Sequence, residues 1–237
     1  MHYVSKYAAS ALLAALAAVA HGQVVAKGGA YLFRAKYFTG RTASYAVRSE
    51  ADVMSSKMSM TMHLSEKVLG VSHGIGTIRI TTGKSDILIN GKPLGASSPA
   101  DEKAGQILDE KAGQIRLNDL GVAVDGSGAS LQTHLELPPQ ALRPGQSWTT
   151  TGVAMLPGRT QEQKVSVTYR FIGFSNLGGT RVVKLGVKMN GSGVAGVTGS
   201  GAAYIRADDC SLVRETEKLN IAIQGMHIPS TLDIYRK

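Results

Sequence analysis

The chain has 237 residues, a single cysteine, and 26 Lys and Arg against 17 Asp and Glu, for a formal charge of +9. A lone cysteine excludes an internal disulfide, so stability must come from a packed core, which a chain of this length can bury. The basic residues, from Arg34 and Lys36 through Arg79 and Lys188 to Arg214, are scattered rather than gathered in an aromatic-laced stripe, a pattern that argues against a nucleic-acid partner.

The first residues read MHYVSKYAASALLAALAAVAHGQ. Lys6 gives a positive start, Ala8 to Ala20 an apolar run, and small residues follow, which is the plan of a secretory signal peptide. Cleavage is expected after Ala20 or after Gly22. The apolar run falls short of the roughly 20 residues a membrane helix needs. The expectation is a signal peptide over 1–22 and one β-rich domain over 23–237, periplasmic or extracellular.

Beyond the leader the chain alternates. Met58, Met60, Met62 and Leu64 interleave with polar Lys57, Ser59, Thr61 and His63. The same period of two runs through 131–137, 164–171 and 183–189, and it marks strands with one face in a core and the other in water. Further strands are predicted over 30–38, 41–53, 75–82, 86–90, 114–118, 121–125, 147–155, 196–206, 211–223 and 226–236. Between them lie turn signals such as Thr82-Gly83-Lys84, Asn90-Gly91-Lys92 and Asn176-Leu177-Gly178-Gly179. The predicted fold class is all-β and mainly antiparallel, a large curved sheet or open barrel.

Gly70-Val71-Ser72-His73-Gly74 matches the G-x-S-x-G nucleophile elbow, which would make Ser72 a hydrolase nucleophile. That chemistry needs a helix after the serine, whereas Ile75-Gly76-Thr77-Ile78-Arg79-Ile80 reads as a strand, so a glycine-rich hairpin is the better account. His134 and His227 are the candidate bases, and neither has an informative context.

One segment breaks the β rhythm. Residues 101–116, DEKAGQILDEKAGQIR, carry the heptapeptide Asp-Glu-Lys-Ala-Gly-Gln-Ile twice. Ser98 as N-cap, Pro99 at the first helical position and Asp101 and Glu102 in the first turn predict a helix over 99–112, with Gly113 as its stop. Its apolar stripe includes Ile107 and Leu108. The second copy should end as a strand from Gln114, and the duplication reads as a lengthened helix rather than a two-unit motif, since repeat folds need more units.

No pattern supports a metal site or a cofactor: the histidines are isolated, and the Gly-x-Gly pairs lack the residues that would cradle phosphate. Asp208-Asp209-Cys210-Ser211 reads as a polar turn, with Cys210 a small residue at a strand end. The methionines Met54, Met58, Met60 and Met62 are the most suggestive feature. Met58, Met60 and Met62, facing a helix that presents Ile107 and Leu108, would form a floor for varied apolar ligands, against the plainer reading of a Met-rich core strand.

Leu142-Arg143-Pro144-Gly145-Gln146-Ser147-Trp148, together with Tyr169 to Gly173, Gly199 to Ile205 and Asp208 to Val213, resembles secreted bacterial β-rich proteins of uncharacterised function. More distantly, the chain is similar to periplasmic lipoprotein carriers, whose curved sheet and covering helix shelter acyl chains. That resemblance implies a concave apolar site and brings no catalytic residue. The leading expectation is a non-enzymatic extracytoplasmic binding protein, with a carrier of lipid or another apolar ligand as the alternative and a Ser72 hydrolase third. The partner would be an apolar ligand or an envelope component, with peripheral membrane contact open and nucleic acid excluded.

Overall fold

A computed structural model of the chain describes residues 24–53, 55–93, 111–124, 135–155, 162–191, 195–223 and 226–237. Every regular element among them is a strand. In chain order these are β1 (Val24–Lys27), β2 (Ala30–Phe33), β3 (Thr42–Val53), β4 (Ser56–Ser72), β5 (Ile75–Ile89), β6 (Lys92–Pro93) and β7 (Lys111–Leu117). The second half supplies β8 (Ser147–Met155), β9 (Glu162–Leu177), β10 (Thr180–Gly191), β11 (Ala195–Arg206), β12 (Leu212–Ile223) and β13 (Met226–Arg236).

Eleven strands form one antiparallel sheet in the order β6-β5-β4-β3-β13-β12-β11-β10-β9-β8, with β7 on the same edge of β5 as β6. Consecutive strands pair from β3 to β6 and from β8 to β13; β7 returns to β5, β8 begins the opposite edge, and β13 pairs with β3, joining the two halves of the chain. The edges at β8 and at β6 and β7 do not meet, so the sheet is not closed into a barrel. A small β1–β2 hairpin forms a second, two-stranded sheet packed against it.

The sheet is nonetheless curled. Phe33 packs edge-on against Phe171 of β9, with ring centroids 5.2 Å apart, while Tyr37 lies against Gly76 of β5. In a flat sheet β9 and β5 would stand about 34 Å apart, at ~4.8 Å per strand. Four residues reach at most about 14 Å. One short segment touches both strands only because the sheet curves around it.

This crossing segment, with residues 135–142, fills one end of the concave face. Phe33, Tyr45, Leu64, Leu135, Leu137, Leu142, Phe171, Leu185, Ile205 and Leu212 form the main core. Arg34 fastens the two irregular segments together, donating to the carbonyls of Phe33, Pro138 and Pro139 and pairing with Asp119 at 3.2 Å. The Trp148 indole N–H donates to the Glu136 carbonyl at 2.8 Å. A second cluster, Val68, Ile78, Ile80, Ile115 and Leu117, sits under Tyr37.

Several sequence expectations need correction. The last two positions of the 99–112 helix, 111 and 112, belong to β7, paired with Thr82 and Thr81, because the open edge of β5 gives their backbone groups partners. The rest of that helix, including Ile107 and Leu108, lies outside the described residues. Thr82-Gly83-Lys84 is no turn: 75–82 and 86–90 fuse into β5, and Gly83 and Lys84 together oppose His63 as a bulge. The strand over 30–38 stops at Phe33, since Arg34 onward crosses the concave face instead of pairing. The strand at 121–125 reduces to one bridge between Leu117 and Ala123. Residues 135–137 are irregular, though the alternation was real: Leu135 and Leu137 are buried as a cover over the sheet, not within it.

Candidate functional site

In antiparallel pairing, residues directly opposite one another share a face. Three consecutive rows of the concave face can therefore be read across eight strands from β9 to β5. The first is Phe171, Leu185, Ala203, Glu215, Ile234, Val47, Met62 and Ser85. The second is Tyr169, Val187, Gly201, Glu217, Leu232, Ser49, Met60 and Ile87. The third is Val167, Met189, Gly199, Leu219, Ser230, Ala51, Met58 and Ile89.

The three predicted methionines thus occupy one position in each successive row, and burial falls along them. Met62 is 4% exposed and belongs to the main core. Met60 is half-buried, and Met58 is 36% exposed beside Ile89 at 37%. The stripe leaves the core and reaches solvent at the β3–β5 corner, where Ser49, Ala51 and Ile87 complete an apolar, weakly polar floor.

Two carboxylates, Glu215 and Glu217, stand within these three mainly apolar rows. Glu217 is only 5% exposed, and its Oε2 has no hydrogen-bond partner. Removal from water pushes its carboxyl up to about 6. Glu215 is pushed up to about 8, by burial first and by the neighbouring Glu217 charge second. Beside them β11 carries Gly201 and Gly199. A β-carbon at Gly201 would overlap the Thr216 carbonyl, and one at Gly199 would come 2.5 Å from a Leu219 methyl. Bare backbone is what lets β12 lie this close.

The sequence reading missed both glutamates, yet the signal was present. Leu219, Ile221 and Ile223 mark the inward face of β12, and counting back by twos lands on Glu217 and Glu215. Glu66 was missed in the same way: it continues the even-numbered face of β4 beyond Leu64 and is 7% exposed.

A polar knot lies at the filled end of the concave face. Asp209, 5% exposed, pairs with Arg41, stands 3.6 Å from Arg206 Nε, and accepts from the Ser211 backbone N–H at 2.8 Å. Ser211 accepts in turn from Arg41 and Arg236, each at 3.3 Å. A cavity of about 50 Å³ adjoins the knot, walled by Tyr37, Tyr45, Glu66, Asp209 and Cys210. The turn 207–209 is thus polar as expected, but half of it is buried and paired. Cys210 is 7% exposed, and burial pushes its thiol up to about 12, which keeps it from being a nucleophile near neutral pH.

Ser72 ends β4 in a two-residue hairpin turn, His73 and Gly74, both at positive φ (49° and 78°). Strand β5 follows directly, so no helix N-terminus stands behind the serine. His227 begins β13 at the opposite end of the sheet, and His134 lies outside the described residues. Among the described residues, no three His, Cys, Asp or Glu side chains are gathered closely enough to hold a metal ion.

No protein-family model matches the chain, and no curated protein does. Among solved structures it is similar to a Bacteroides fragilis protein with a YmcC-like fold, inferred to be exported. The two share 13% identity over 86% of this chain and 99% of that one, with a TM-score of 0.33. At that distance the likeness transfers neither ligand nor activity.

Proposed function

We propose that the chain is an exported, non-enzymatic binding protein that seats an apolar ligand on the concave face of its sheet, at the β3–β5 corner. The observation that carries this reading is the exposure gradient from Met62 through Met60 to Met58, continued by Ile87 and Ile89. A stripe that served only the core would end buried. This one emerges, and methionine's flexible, polarizable side chain suits a surface that accepts varied apolar shapes. The stripe also leads inward along its row to Leu232 and Glu217, so a ligand apolar along its length would find a buried carboxyl about 14 Å from Met60, three strand spacings away.

The test is native mass spectrometry of the mature protein after exposure to a membrane extract. Retained lipid, lost in Met58→Lys/Met60→Lys protein of unchanged melting temperature, supports the reading. A clean unliganded mass for the wild-type protein overturns it. Export is tested separately, by N-terminal sequencing of secreted material, which should begin at His21 or Gln23.

A further inference from the structure

The opposite face of the sheet holds a second feature, independent of the methionine stripe. On β8–β12 the outward positions carry Ser147, Thr149, Thr168, Arg170, Lys184, Gly186, Lys188, Ser200, Ala202, Tyr204, Arg214, Thr216 and Lys218. Both acidic residues of β12 point the other way. Among the described side chains of these five strands the outer face is therefore built mainly from cations and hydroxyls; Arg214, at its β13 side, is paired with Asp233 at 3.0 Å.

It is also not flat. Gly186 stands beside Arg170 in register, and a groove of about 910 Å³ lies over the two. Ser147, Thr168, Arg170, Lys188 and Ser200 line it around Gly186. A β-carbon at Gly186 would meet nothing nearer than 3.6 Å, so space rather than close packing is what the glycine provides. Arg170 is braced by donating from Nε to the Gly145 carbonyl at 3.2 Å, which fixes its guanidinium against Gly145 in the groove wall. Thr168 is held by Thr149 at 2.9 Å. Lys188 pairs with Thr168 in register and places a second positive charge on the same groove.

We propose that this groove binds an acidic polysaccharide. A planar guanidinium held from behind presents a fork that matches a sugar carboxylate, while Lys188 contributes a mobile point charge. The hydroxyls of Ser147, Thr168 and Ser200 both donate and accept, as a sugar's own hydroxyls require of their partners. Gly186 lets a sugar ring approach the backbone. A membrane surface fits less well, because it would need several apolar side chains projecting among the cations, and the one large exposed hydrophobic side chain among the described residues lining the groove is Ile172, beside Gly186. Single-stranded nucleic acid would need free aromatic platforms, and the Tyr204 ring already lies under the Lys184 ammonium, 5.9 Å from its centroid.

The experiment is titration of the mature protein with an oligouronate at low salt, alongside neutral dextran oligomers and phosphatidylglycerol vesicles. Wild-type protein should bind the oligouronate, weakening at least tenfold as salt is raised, and should ignore dextran. Arg170→Gln/Lys188→Gln and, separately, Gly186→Leu should each weaken oligouronate binding at least tenfold with the melting temperature unchanged. Lys57→Gln, on the other half of the sheet, and Met58→Lys should leave it intact. Loss with Met58→Lys would move the site to the concave face and overturn the proposal. So would an absence of oligouronate binding, indifference to the groove variants, or tighter binding to vesicles.

Discussion

Gly76 of β5 lies flat beneath the aromatic ring of Tyr37, so closely that a β-carbon there would overlap the ring carbons. The same tyrosine donates its hydroxyl to the Asn118 carbonyl at 3.0 Å and covers the cluster of Val68, Ile78 and Ile115. With the Phe33–Phe171 contact, it is among those by which the segment Phe33 to Tyr37 bridges the curled sheet. Gly76→Ala should therefore destabilise the protein by about 1–3 kcal/mol, the usual cost of overpacking a filled site. Chemical denaturation checks this. Combining it with Tyr37→Ala should cost less than the two single changes added together, because the clash disappears with the ring.

The glutamates of β12 set an unusual pH dependence. A carboxyl whose folded value is raised keeps a proton that the unfolded chain has released. Its contribution to stability is full below the ordinary value of 4.5 and is lost as pH rises through about 6 for Glu217 and about 8 for Glu215. Unfolding free energy should thus fall between pH 4.5 and pH 8. The Glu217 share is about 2 kcal/mol, since each tenfold change in a group's proton affinity on folding is worth roughly 1.4 kcal/mol. Glu217→Gln, neutral at every pH, should flatten that part of the profile in urea titrations at pH 5 and pH 8. A wild-type profile that rises over this interval would contradict the placement of both side chains.

Asp209 anchors the polar knot, and its removal strands Arg41. Breaking a buried pair by deleting one partner typically costs 3–5 kcal/mol. The Arg41 side chain is 24% exposed and can partly rehydrate, so Asp209→Ala should fall near the low end, about 3 kcal/mol. Asp208→Ala, removing a carboxylate that is 57% exposed and sits 2.5 Å from Arg206, should cost well under 1 kcal/mol. Thermal unfolding of the two variants side by side separates the buried half of the turn from the exposed half.

Cys210 should resist thiol reagents in the folded protein. Burial removes access, and the raised thiol value leaves little thiolate near neutral pH. Labelling by an aromatic disulfide should be at least roughly a hundredfold slower in buffer than in denaturant, where the thiol returns to its ordinary reactivity. Rapid labelling of native protein would mean that the 207–211 turn opens away from the segment Arg34 to Tyr37.

Much of the fold follows from period alone. The alternation in Met58-Ser59-Met60-Thr61-Met62 and in Val165-Ser166-Val167-Thr168-Tyr169 makes strands and assigns each side chain a face, because successive residues of an extended chain point opposite ways. That local rule also placed the methionine stripe inward and, counted back from Ile223, would have placed Glu217 and Glu215 there. It failed wherever a bulge changed the count or the chain left the sheet. Gly83-Lys84 carries the residues of a turn but is absorbed as a bulge, since β4 continues as its partner on both sides. Leu135 and Leu137 alternate like a strand but serve as a lid.

What only the tertiary structure decided is adjacency. The pairing of Ile234 with Val47, which splices the end of the chain to its beginning, depends on residues nearly two hundred positions apart, and no local pattern encodes it. Nor does any local pattern say that Arg170 and Gly186 stand side by side in one groove, or that Asp209 meets Arg41. Facing is a property of each strand's own backbone and is written residue by residue; neighbourhood arises from burying all those faces together, and the whole chain sets it.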